Sequence, residues 1–183
     1  MLITFITGNP GKVETAQKVL GKFGVELKQQ NIDVPEIQDA DVEKVAKFSA
    51  KYAAEKINQP VIVTDAGLYI NALNGFPGSF LKFLNKWFDP DDILKLMSDV
   101  KDRTAVAAEC LAYCEPEKEP VIFCDEKQCQ IASIAEGEGS TIDKLLVWPG
   151  FDRVQGLIPK EEMIAYWAEH NEIYRKFGEY ISK

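Results

Sequence analysis

Residues 2–6, LITFI, form an unbroken apolar run that stops at Thr7-Gly8-Asn9-Pro10-Gly11-Lys12. A short apolar run closed by Gly and Pro predicts a buried strand followed by a turn. Val13, Ala16, Val19 and Leu20 then recur at helical spacing, and Gly24 marks the end of that helix. Alternation over residues 25–29 predicts a second strand. Pro35 disfavours helix over Val34–Gln38 and leaves Glu36 in an extended or loop segment. Residues 41–57 predict an amphipathic helix opened by Ala40 or Asp41. Its core side is expected to carry Val42, Val45, Phe48 or Ser49, Tyr52 and Ile57.

The second half reads differently. Val61-Ile62-Val63 predicts a buried strand, cut by Thr64-Asp65-Ala66-Gly67, with apolar residues resuming at Leu68-Tyr69-Ile70. Asn74-Gly75 and Pro77-Gly78 are turn dipeptides. Ser79–Lys86 reads as helical. Asp89-Pro90-Asp91-Asp92 opens a further helix over Asp92–Val100, its acids serving as N-terminal caps rather than as a metal loop. Residues 104–114, 120–124 and 127–134 predict three strands of an antiparallel meander. Gly137, Gly139 and Ser140 mark a loop, and Leu145–Phe151 is apolar and then broken. A long helix over Glu161–Ile181 closes the chain. With no repeat, linker or low-complexity segment, residues 1–183 are expected to form a single domain of mixed α/β class.

Composition narrows the function classes. The chain has 183 residues, 46% hydrophobic and 27% charged, as ordinary globular proteins do. A net charge of −8 argues against a nucleic-acid surface, which needs a basic excess. No apolar run approaches the roughly 20 residues that span a bilayer, so no membrane partner is expected. The N-terminus lacks a basic leader, so no signal peptide is expected. Cys110, Cys114, Cys124 and Cys129 lack zinc-site spacing. Without a secretory leader they are expected to be free buried thiols in a cytoplasmic protein.

Two features carry candidate chemistry. A strand, a Gly-rich loop and a helix start present backbone N–H groups to an anion, and Lys12 adds positive charge there. The loop is neither a Walker A sequence nor GxGxxG, so a plain strand–helix turn is the other reading. Asp65 interrupts an apolar stretch, and a carboxylate there is costly to desolvate unless a metal ion or a reacting group uses it. On their own, Glu36 and Lys51 read as solvated surface charges, and His170 as a surface or boundary residue of the last helix.

Thr7–Lys12, Pro35–Gln38, Asp65–Leu68 and Ala72–Gly78, taken in that order, resemble the inosine triphosphate pyrophosphatase family of non-canonical purine nucleoside triphosphate pyrophosphatases. The resemblance covers residues 1–100. It implies an elongated, two-lobed mixed α/β fold with a central mixed sheet, a nucleotide cleft between the lobes, and a homodimer. It implies Mg2+-dependent hydrolysis of ITP, XTP or dITP to the monophosphate and pyrophosphate. On the same basis Thr7, Gly8, Asn9 and Lys12 hold the triphosphate, and Lys51 and Lys82 reach its phosphates. Glu36 and Asp65 bind the metal, Asp65 is the catalytic general base, and Trp148 or Phe151 stacks the base.

The chain departs from the family pattern at two places. Thr64-Asp65-Ala66 lacks one acid and one hydroxyl that the family usually has there. The Ser-His-Arg triplet that reads the purine 6-oxo group is absent; the C-terminal segment offers Glu169-His170-Asn171 instead. A site discriminates strongly only through donors it possesses, so altered base specificity is expected. The alternative is a catalytically weak nucleotide-binding or regulatory protein of the same fold.

Overall fold

The computed structural model describes residues 1–35 and 37–183; Glu36, expected as a metal ligand, lies outside the described residues. The fold is mixed α/β. Its strands form one sheet in the order β2-β1-β3-β5-β6-β7, with β4 paired to β3. These are β1 Leu2–Ile6, β2 Glu26–Gln30, β3 Val61–Ile70, β4 Pro77–Gly78, β5 Thr104–Cys114, β6 Val121–Ile131 and β7 Leu146–Val147. β1 is parallel to both β2 and β3, whereas β4 is antiparallel to β3 and β7 to β6. No helix among the described residues is long and apolar enough to cross a membrane.

The chain divides into two compact units. The first comprises Met1–Asp65, Glu109–Asp125 and Ile164–Lys183. In it, Ile3 to Ile6 of β1 are buried on both faces, as parallel strands covered by helices are. α1 (Pro10–Leu20) starts where Asn9 caps it and Pro10 presets the first helical φ. Gly24 follows at φ 70°, a left-handed position where glycine carries no Cβ penalty. α2 (Val42–Ile57) is capped by Asp41, whose carboxylate accepts from the Glu43 amide. Its buried face is Val42, as expected, with Ala46, Ala50, Ala53 and Ala54; Val45, Tyr52 and Ile57 are only partly buried, and Phe48 is 38% exposed. Alanines at helical spacing let this helix lie close to its neighbours, a stripe that a search for bulky apolar residues passes over.

The core of this unit gathers Phe5, Leu20, Ile62, Leu111, Tyr113, Ile173, Tyr174 and Phe177. The Tyr113 and Phe177 rings lie 5.2 Å apart, and the Phe123 and Phe177 rings 5.8 Å apart. The expected single C-terminal helix is two, α5 (Lys160–His170) and α6 (Glu172–Ile181). Asn171 is extended between them and its side chain accepts from the Ile173 amide, which starts a new helix. Cys110 and Cys124 form a disulfide, with Cα atoms 4.1 Å apart, so the expectation of four free thiols is corrected. Their proximity comes from pairing of β5 with β6, which residue spacing does not reveal. Cys114 and Cys129 are free and buried, as expected.

The second unit comprises Ala66–Ala108 and Glu126–Met163. α3 (Leu81–Trp87) and α4 (Pro90–Leu96) are short. The Asp92 carboxylate accepts from the Asp89 amide at 3.0 Å, which bears out the capping reading of that acidic run. α4 stops before Val100, at Met97, whose amide closes on Ile93 O and Leu94 O. The Arg103 guanidinium joins Met97 O, Ile131 O and Ala132 O, tying the end of α4 to the end of β6. Thr141 donates to Phe88 O, and the Ile142 amide donates to Asn85 Oδ1 at 3.1 Å.

Two expected breaks are absent. β3 runs without interruption from Val61 to Ile70, so Asp65 lies within a strand rather than at its end. β6 likewise continues through Asp125-Glu126, where two strands were expected. In both cases cross-strand backbone bonding overrides the polar interruption.

Candidate active site

The phosphate-loop candidate is ordered by its own polar side chains. Thr7 Oγ1 accepts from the Asn9 amide at 3.1 Å, and Asn9 Oδ1 accepts from the Gly11 amide at 2.9 Å. These bonds close the turn and start α1, and Gly8 and Asn9 remain exposed. The local sequence dictates this, since Asn before Pro is a strong helix-start signal.

Lys12 is half-buried on the first turn of α1 and reaches across to β3. Its ammonium donates to Thr64 Oγ1 at 3.0 Å and lies 3.5 Å from Glu109 Oε1 on β5. Thr64 immediately precedes Asp65 in β3. The residue in direct contact with Lys12 is therefore the threonine that stands beside the candidate acid.

The partners of Lys12 lead to α6. Glu109 Oε2 accepts from Asn171 Nδ2 at 2.6 Å. Asn171 is 6% exposed and caps α6 with its other amide atom, which accepts from the Ile173 amide at 3.0 Å. Tyr174, one turn on and 1% exposed, hydrogen-bonds Thr64. Burial pushes the Tyr174 hydroxyl well above its usual range, the Glu109 charge adds to this, and the Thr64 bond opposes it.

Glu109, Asn171 and Tyr174 were not singled out from the sequence, though signals existed. Glu109 is the one charged residue in the apolar stretch TAVAAECLAYC, and Asn171-Glu172-Ile173 has the form of a helix start.

The other expected site residues are placed as follows. Lys51, on α2, pairs with Glu119 in the turn after β5, and that bond raises its pKa. The Lys12–Thr64–Glu109 group does not include it. In the second unit, Lys82 is exposed on α3. Trp148 is 6% exposed and its indole N–H donates to Gln155 Oε1. Phe151 is partly exposed, with the Arg153 guanidinium 5.8 Å from its ring centroid. His170, in the first unit, is exposed and stacks on Tyr166 at 4.5 Å, its Nδ1 2.9 Å from Tyr166 O. Among the described residues no group of three or more His, Cys, Asp or Glu is placed to hold a metal ion.

A family model described as the Ham1 family matches residues 3–166. The chain belongs to the Ham1 family. Its membership bears out the resemblance carried by the four motifs. A protein of Methanopyrus kandleri named dITP/XTP pyrophosphatase is 37% identical over 163 residues, covering 88% of this chain and 87% of that one. A protein of Methanothermobacter marburgensis with the same name is 34% identical over 184 residues, covering 100% and 97%. The solved structure of a HAM1 protein from Coxiella burnetii superposes with a TM-score of 0.80 at 23% identity, covering 100% of this chain and 98% of that one, and supports the fold.

Proposed function

We propose that this protein is a nucleoside triphosphate pyrophosphatase that hydrolyses the α–β phosphoanhydride of a non-canonical purine nucleoside triphosphate, giving the monophosphate and pyrophosphate. The observation that carries the reading is Lys12. It stands on the first turn after the Thr7–Gly11 loop and bonds the residue next to Asp65. Family membership and the names of the Methanopyrus and Methanothermobacter relatives support the same chemistry.

In this reading Thr7, Gly8, Asn9 and Lys12 hold the triphosphate, with loop amides and the start of α1 facing its negative charge. Lys51 and Lys82 add positive charge to the phosphates. Asp65 orients the attacking water and takes its proton as the water oxygen adds to phosphorus. The bond to the bridging oxygen breaks and pyrophosphate leaves.

A hard cation suits the donors. Mg2+ binds through one or two carboxylates plus substrate phosphates rather than an all-protein cage, so Asp65 with Glu36 is a sufficient protein set. When bound, Mg2+ neutralises phosphate charge and lowers the pKa of coordinated water. Trp148 or Phe151 stacks the base; Phe151, the more exposed ring, is the better placed to meet a ligand.

Absence of the Ser-His-Arg triplet implies altered base choice. A homodimer is part of the same reading, and Trp87, 66% exposed and stacked on Phe83, is apolar surface that an assembly would cover. A cytoplasmic location accompanies it.

The test is pyrophosphate release from ITP, XTP, dITP and dUTP with and without Mg2+. Metal-dependent release is expected, and Asp65→Asn is expected to abolish most of it while leaving the fold intact. Tight nucleotide binding with no release from any substrate would favour a regulatory nucleotide-binding protein, the outcome that Thr64 and Ala66 around Asp65 would then explain. Near-normal turnover by Asp65→Asn would refute the role of Asp65.

A further inference from the structure

Both partners of the Lys12 ammonium are anchored in one place. Glu109 is held by Asn171, the N-cap of α6, through a 2.6 Å bond. Thr64 is held by Tyr174, one turn further along the same helix. The Asn171 amide is engaged at both ends, so it cannot turn over without losing both the Glu109 bond and the cap on Ile173. A lysine ammonium has three N–H donors, and directing two of them at Thr64 and Glu109 fixes the direction of the third.

We propose that Glu109, fixed by Asn171, is a positioning residue that holds Lys12 in the orientation in which it meets a nucleotide phosphate. The inference rests on the phosphate-binding reading of Lys12. Lys12 and Glu109 side chains are 30% and 22% exposed, and an ion pair so open to solvent contributes little to stability. Its effect is geometric. A flexible four-carbon stem loses most of its conformational freedom before phosphate arrives, which lowers the entropy lost on binding. A carboxylate beside a phosphate site otherwise repels the ligand, so positioning and repulsion predict opposite signs when the charge is removed.

The experiment uses inorganic triphosphate with Mg2+, titrated by calorimetry into the full chain and into Glu109→Gln, Lys12→Ala and the double variant, with thermal melts to establish folding. Glu109→Gln keeps an acceptor for Asn171 but removes the charge facing Lys12. It is expected to weaken binding about fivefold, and to add less than about twofold in the Lys12→Ala background, because the effect passes through Lys12. A merely structural role would weaken both backgrounds alike.

Unchanged or tighter binding by Glu109→Gln, with the parent protein binding well, overturns the positioning role alone. Failure of the parent to bind triphosphate overturns the phosphate reading of Lys12 and the positioning role with it. Should Glu109→Gln not fold, Asn171→Asp answers the same question. Aspartate caps a helix as well as asparagine does but cannot donate to Glu109. The same loss is then expected, and parent-like binding overturns the proposal.

Discussion

Lys12 donates a 3.0 Å hydrogen bond to Thr64 across 52 positions of sequence, joining the start of α1 to the middle of β3. Thr64 is also hydrogen-bonded to the buried Tyr174 hydroxyl, so one small side chain serves two partners. Thr64→Val keeps the shape and removes the oxygen. It leaves Tyr174, 1% exposed, with an unmatched hydroxyl. A loss of about 1–3 kcal/mol is expected, the range for a buried polar group left unpaired, and urea denaturation measures it. Nucleotide affinity is expected to fall several-fold in the same variant.

The junction between α5 and α6 depends on the Asn171 side chain. Asn171→Ala removes the acceptor for the Ile173 amide and the donor to Glu109. Loss of an N-cap of this type destabilises by about 1 kcal/mol, and the part-buried Glu109 contact adds to that. Chemical denaturation is expected to show a total of roughly 1–2 kcal/mol. No measurable change would mean the junction is held by packing instead.

Gly178 lies inside α6 against Phe23. A Cβ at that position would stand 2.4 Å from the Phe23 ring. Gly→Ala in a helix interior ordinarily gains about 1 kcal/mol. Overpacking a tight contact costs about 1–3 kcal/mol. The second effect prevails, so Gly178→Ala is expected to lower the thermal midpoint. Adding Phe23→Leu to it should recover part of the loss.

Cys129 supplies a pH-dependent test. The thiol is 4% exposed, donates to Ala105 O, and is pushed by burial from near 9 to about 11. Its folded value lies above its unfolded one, so its contribution is complete below about pH 9 and is lost as pH rises toward 11. Valine at this position does not titrate. Stability of the parent relative to Cys129→Val is expected to fall by about 1 kcal/mol between about pH 8 and 10. A difference that stays constant over that range would refute the assignment.

Local signals were legible in the sequence. Asp41 announced a helix start that formed as expected, and the Asp89–Asp92 run proved to be a cap. Lys12 and its loop were visible for the same reason: a turn and a helix start are written in adjacent residues. The partners of Lys12 were not. Thr64 and Glu109 meet it, and Asn171 and Tyr174 meet them in turn, through sheet register and helix docking, which no short window contains. The Cys110–Cys124 bridge was hidden in the same way. Asp65 misled as a strand end because a carboxylate in an apolar run suggests interruption, whereas ladder bonding carries the strand through it. The alanine face of α2 was missed because burial there follows close approach rather than side-chain size.

The two compact units meet along the chain at Asp65–Ala66, Ala108–Glu109, Asp125–Glu126 and Met163–Ile164. Every one of these joints falls inside a regular element, in β3, β5, β6 and α5 respectively. Neither unit is therefore a contiguous stretch of polypeptide. β3, β5 and β6 each begin in one unit and finish in the other, so synthesis must reach the last helix before the first unit has all its pieces. A gene fragment ending before Ile164 would encode the loop and Lys12 yet lack the helix that completes their surroundings.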